Sequence, residues 1–151
     1  MLLDYYASIL TINREELSEV SPYIVADAYF SCKLFVDQLL ASNFHLVNRL
    51  RTYGHLRYLY TGPKENGPRV SRKFDGRVDF RDLRDDIFTP CCQAADKLWV
   101  GYSAVVDIKS WKRSVRAVIV HDLDEQGQII GHRIYVSTDL ALDGGEQLHM
   151  Y

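Results

Sequence analysis

The stretch Ser21–Ser31, "SPYIVADAYFS", decides the fold. Tyr23 to Ala26 is a continuous apolar run bounded by Pro22 and Asp27, a pattern that predicts a buried strand. An acid ends the run. Asp27 there either caps the turn that follows, as aspartates before helices often do, or is aimed at something charged. The carboxyl end of a parallel strand is where open α/β sheets bind their ligands, and a carboxylate in that place suits Mg²⁺, which prefers oxygen ligands.

On the C-terminal side, "SCKLFVDQLLASN" predicts a helix with Leu34, Phe35, Gln38 and Leu39 on one face, Ser31 as its cap and Asn43 as its stop. "FHLVNRLR" then resumes strand character, so residues 23–51 have the size and order of a parallel strand-helix-strand unit. On the N-terminal side, Leu2 to Leu10 is helix-compatible, and "INREELSEV" offers Asn13 as an N-cap with Glu16 as its box partner.

Beyond Arg51 the pattern changes. The runs "RYLY", "GRVDF", "KLWVGYSAVVDI", "SVRAVIVHDL" and "IIGHRIYVST" follow one another without a helix, which predicts an antiparallel meander. "HDLDEQGQII" joins the last two as a hairpin, Gly127 supplying the positive φ of the turn. In "TDLALDGGEQLHMY" Asp143 is placed to cap a final helix. One composite α/β domain of 151 residues is expected: a strand-helix-strand core over 1–51, a β-rich segment over 52–138 and the start of a helix over 139–151.

Composition narrows the function classes. The chain is 47% hydrophobic and 25% charged with a net charge of −2, and it holds no apolar run long enough for a bilayer. "MLLDYYASIL" lacks the features of a signal peptide, which makes the cytoplasm the default location. Cys32, Cys91 and Cys92 have no C-x-x-C spacing and suit reduced thiols, and the five histidines are scattered without metal-ligand spacing. There is no Walker A sequence, no G-x-G-x-x-G and no nucleophile elbow. Asp85, Asp86, Asp122, Asp124, Glu125, Asp139 and Glu146 read as turn, cap or exposed-face residues.

Charge is segregated along the chain. Residues 51–77 carry Arg51, Arg57, Lys64, Arg69, Arg72, Lys73 and Arg77 against Glu65 and Asp75, and residues 109–116 add Lys109, Lys112, Arg113 and Arg116 with no acid. Each segment is either a solvated loop or a phosphate-contacting patch, and Trp111 among the second set is arranged as an aromatic in a nucleic-acid groove would be.

The ordered set "YIVADAYFSCKLFVDQL", "FHLVNRLR", "LRYLYTGP", "RKFDGRVDF", "YSAVVDIKSWKRSVRAVIV" and "RIYVSTDLAL" resembles the DNA transposases of bacterial insertion sequences that share an RNase H-like catalytic core. The resemblance implies a partial RNase H-like core with an antiparallel β insertion, and a parent activity of metal-dependent DNA cleavage and strand transfer at transposon ends. In that family two aspartates and a glutamate bind the divalent metal. Asp27 matches the second aspartate, and is therefore the expected catalytic and Mg²⁺-binding residue. Arg57, Lys64, Arg69, Arg72, Lys73, Lys109, Lys112, Arg113 and Arg116 are the expected DNA contacts. No strand for the first aspartate precedes Tyr23, and Tyr151 matches the tyrosine that opens the glutamate motif, so an internal fragment, inactive alone and prone to self-association, is expected. The alternatives are a non-catalytic DNA-binding or regulatory remnant, and an unrelated α/β domain in which Asp27 is only a cap.

Overall fold

The computed structural model describes residues 1–64 and 71–151. Helices α1 (Leu2–Ile12) and α2 (Arg14–Val20) precede strand β1 (Tyr23–Ala26), and a 3₁₀ turn at Ala28–Phe30 and helix α3 (Lys33–Ala41) lead into β2 (His45–Leu50). There follow β3 (Leu56–Leu59), β4 (Phe74–Arg77), β5 (Thr89–Gln93), β6 (Trp99–Ile108), β7 (Arg113–Leu123), β8 (Ile129–Ser137) and helix α4 (Gly144–Met150). The fold is mixed α/β, with one mostly antiparallel sheet in the order β1-β2-β8-β7-β6-β3-β4 and β5 added on β6.

β1 and β2 pair in parallel, from Tyr23 opposite His45 to Ala26 opposite Asn48, with α3 as the crossover. β8 then pairs antiparallel with β2 on its other side, Val47 opposite Ser137, so the meander continues the same sheet. Alternation along β7 divides the core between the two faces. Val115, Ala117 and Ile119 join Phe35, Val36 and Leu39 of α3, while Val118 and Val120 join Tyr135 and Leu148 on the face that α4 covers. Asp143 caps α4 as expected, its Oδ1 accepting the Glu146 N–H at 3.1 Å. Gly127, at φ 79°, closes the β7–β8 hairpin.

Several local expectations are corrected. β1 is half-buried rather than buried, with Val25 45% exposed, because it is the end strand of the sheet and pairs on one side only. Ser31 does not cap α3. The 3₁₀ turn takes its N–H to the Ala28 carbonyl, and Cys32 becomes the N-cap. Leu34 is 58% exposed, and Val36 takes its place on the buried face. Asn13 makes no capping box; its Nδ2 bonds back to the Ile9 carbonyl at 2.8 Å, because the residue ends α1 as well as starting α2. Strand β4 begins at Phe74 rather than Gly76, and β5, hidden in sequence by Pro90 and its polar neighbours, was not expected. Among the described residues no helix is long and apolar enough to cross a membrane.

Candidate functional site

Asp27 leaves β1 in extended conformation, and its Oδ1 accepts the Tyr29 N–H at 2.9 Å, capping the 3₁₀ turn. The capping alternative is thus real, yet it uses one carboxylate oxygen and leaves the side chain exposed. The strand end is held from β2. Asn48, fully buried, donates from Nδ2 to the Asp27 carbonyl at 3.1 Å, while its Oδ1 has no partner among the described residues.

Two flanks meet at Asp27. On one, Arg49 of β2 lies opposite Tyr135 of β8, whose ring packs edge-on against Tyr151 at 5.0 Å. Burial pushes the Tyr151 hydroxyl above its ordinary value; the Arg49 charge opposes this, and Asp27 and Tyr135 add to it. The residue after α4 thus packs on Tyr135, which lies opposite Arg49, one residue beyond the Asn48 that pairs with Ala26 at the end of β1.

On the other flank a groove of about 380 Å³ runs between the 3₁₀ turn and the chain leaving β2, with Tyr29, Arg51, Tyr53, His55 and Ser110 around Leu50 and Ile108. Arg51 donates to the Tyr53 hydroxyl at 2.9 Å. Tyr53, 67% exposed, separates this groove from a second recess of about 350 Å³ that includes Arg77 and Asp79. His55 reports the local field. Its imidazole is held below its ordinary value, by burial first and then by Arg77, Lys109 and Arg57, with Asp107 opposing. Cations and an exposed aromatic converging on a groove are the elements with which proteins track a phosphate backbone.

The expected DNA contacts are thus divided. Lys109 sits next to the groove, its backbone N–H donating to the His55 carbonyl at 3.2 Å, and Lys112 is exposed in the same β6–β7 turn. Arg57 is committed within the protein, donating to nearly buried Asp107 at 2.8 and 2.7 Å and lying 3.6 Å over the Phe74 ring. Arg72 pairs with Asp75 at 2.7 Å, and Lys64 and Lys73 are exposed on the β3–β4 side. Arg113 pairs with Asp37 of α3 at 3.1 Å. Arg116 donates to the Leu140 carbonyl at 3.0 and 2.8 Å, near α4. Arg69 lies outside the described residues. The expectation for Trp111 is corrected: its side chain is fully buried, because the turn folds it under the sheet while Lys109 and Lys112 stay in solvent.

The groove also brings in Tyr29, Tyr53 and His55, which sequence reasoning did not select. The signal for them was positional, since they follow the carboxyl ends of two parallel strands. A separate polar pair ties β1 to the end of β8: the Tyr23 hydroxyl donates to Asp139 at 2.6 Å, pushing the tyrosine up to about 12 and the aspartate below its ordinary value. Among the described residues no three His, Cys, Asp or Glu side chains converge on one point. Asp27 fits Mg²⁺ only as a single oxygen ligand, with water or phosphate completing the octahedron.

No protein-family model matches the chain, and no curated protein matches it either.

Proposed function

We propose that this chain is a DNA-engaging domain of the insertion-sequence transposase type, with a partial RNase H-like core, that holds a phosphate backbone in the groove beside Asp27. The observation that carries the reading is the junction at the end of β1. An exposed carboxylate stands at the carboxyl end of a parallel strand, with Tyr151 packed on Tyr135 on one flank and a groove that holds Arg51, Tyr53 and His55 on the other. In the full reaction Asp27 would be one ligand of a metal that polarises the scissile phosphate. Two-metal phosphoryl transfer needs several converging carboxylates, so the other ligands must come from another segment or chain. This chain's own part is to bind and orient DNA: Arg51, Arg77 and Lys109 neutralise phosphates, and Tyr53 offers a face for stacking.

A second reading, DNA binding without chemistry, is favoured by the engagement of the other acids, Asp139 with Tyr23 and Asp86 with Arg84. Fluorescence anisotropy with duplex DNA, together with a plasmid-nicking assay in Mg²⁺, tests both. Three phosphate contacts imply binding without metal that weakens about fortyfold between about 50 and 200 mM salt. Absence of salt-dependent binding overturns the DNA reading. Nicking that disappears in Asp27→Asn overturns the claim that the chain needs outside carboxylates.

A further inference from the structure

A regular strand turns adjacent side chains to opposite faces, yet the thiols of Cys91 and Cys92 in β5 lie 3.3 Å apart. The cause is a register shift: Pro90 pairs with Tyr102 and Cys92 with Gly101, so Cys91 is the extra residue of a bulge and both sulfurs reach the same region. Two glycines leave them room. A Cβ on Gly101 would stand 2.7 Å from the Cys92 sulfur, and one on Gly144, at the start of α4, 2.9 Å from the Cys91 sulfur. Cys91 also forms part of the wall of a cavity of about 440 Å³, with Ser103, Arg116 and Asp143 around it.

Covalent geometry separates two chemistries for such a pair. Consecutive Cα atoms are about 3.8 Å apart, below the roughly 4.4–6.8 Å that an unstrained disulfide spans. Closing the ring would strain the bulge. Burial, with the Cys92 contact adding to it, pushes the Cys91 thiol up to about 12, which keeps it protonated and a poor nucleophile toward oxidants. A soft centre bridging two sulfurs needs no direct S–S bond and no prior thiolate.

We propose that Cys91 and Cys92 form a bidentate dithiol site for a monosubstituted trivalent arsenical, a thiophilic centre that brings its own third substituent and seats it in the cavity beside Cys91. An arylarsonous acid, Ar–As(OH)₂, condenses with the two thiols. Two S–H and two As–O bonds break, two As–S bonds form, each thiol proton leaves on a hydroxyl as water, and arsenic stays trivalent. The site is independent of the DNA groove.

Phenylarsine oxide added to the reduced protein tests the site, with free thiols counted and intact mass measured. The chain has three free cysteines; one equivalent should leave one titratable thiol and add a single phenylarsenic. Chelation predicts that Cys91→Ser and Cys92→Ser each weaken capture by about a hundredfold or more, whereas Cys32→Ser does not. In the unmodified chain, 2,3-dimercaptopropanol should strip the arsenical at concentrations where a monothiol does not, a readout that needs no variant to fold. Equal capture by the Cys92→Ser chain, or release by the monothiol at the same concentration, overturns the proposal.

Discussion

The centre of the sheet and its β1 end are built on different principles. β6, β7 and β8 are long, pair without interruption from Trp99 opposite Asp122 to Ile108 opposite Arg113 and from Arg116 opposite Ser137 to Asp122 opposite Gly131, and bury residues on both faces. β1 has four residues, one neighbouring strand and an exposed valine, and ends on an exposed aspartate. The difference separates stability from function. The centre buries the apolar area that holds the fold, while the β1 end leaves charged and polar groups exposed, where the proposed DNA groove lies.

The largest effect expected is in the buried core beneath the sheet, to which the β6–β7 turn contributes Trp111. Trp111→Ala removes a fully buried indole and should destabilise the chain by about 3–5 kcal/mol in urea unfolding. A loss below about 1 kcal/mol would break the comparison, because it would make the β6–β7 turn as dispensable as an edge. Asp27→Ala should lose about 0.5–2 kcal/mol as a cap, and Asp27→Asn only a few tenths. DNA binding without metal should be unchanged by Asp27→Asn, which sharpens the distinction between a cap and a ligand.

The same end should show two pH dependences. His55 is held low by burial and nearby cations. A bound phosphate would raise it, so binding takes up a proton and affinity should strengthen as pH falls from about 7.5 to about 5.5; His55→Asn should flatten the profile. Asp139, held low by Tyr23, stabilises the fold above the unfolded carboxylate value of about 3.9. That contribution is lost as pH falls through the lower folded value, and acid titrations of Tyr23→Phe should show a smaller loss there. The smallest effect is at the bare edge of β1. Val25→Lys should change stability by no more than about 0.5 kcal/mol, yet reduce the concentration-dependent association expected of an uncharged open edge in sedimentation.

Much of the scaffold was legible because hydrophobic period and turn chemistry act locally. The run Tyr23–Ala26, the helix after it, the Gly127 hairpin and the Asp143 cap all follow from near neighbours in sequence. The open edge at β1 was expected from the absence of neighbouring strands before Tyr23, and the sheet order agrees; what sequence did not disclose depends on long-range pairing: the bulge in β5 and the junction of β8 with β2. The site divided the same way. Asp27 was marked by its place at a strand end, but nothing local distinguishes Lys109, beside His55, from Arg113, which α3 takes through Asp37. Trp111 was misjudged because flanking charge speaks for its neighbours and not for the side chain itself.

Backbone hydrogen exchange of the chain with and without duplex DNA at low salt tests the central claim most directly. The account predicts slowed exchange at 28–31, 51–55 and 108–112, lost on raising salt and weakened in Arg51→Glu/Lys109→Glu. Protection confined to the β3–β4 side or to α4, or no protection with DNA bound, would contradict it.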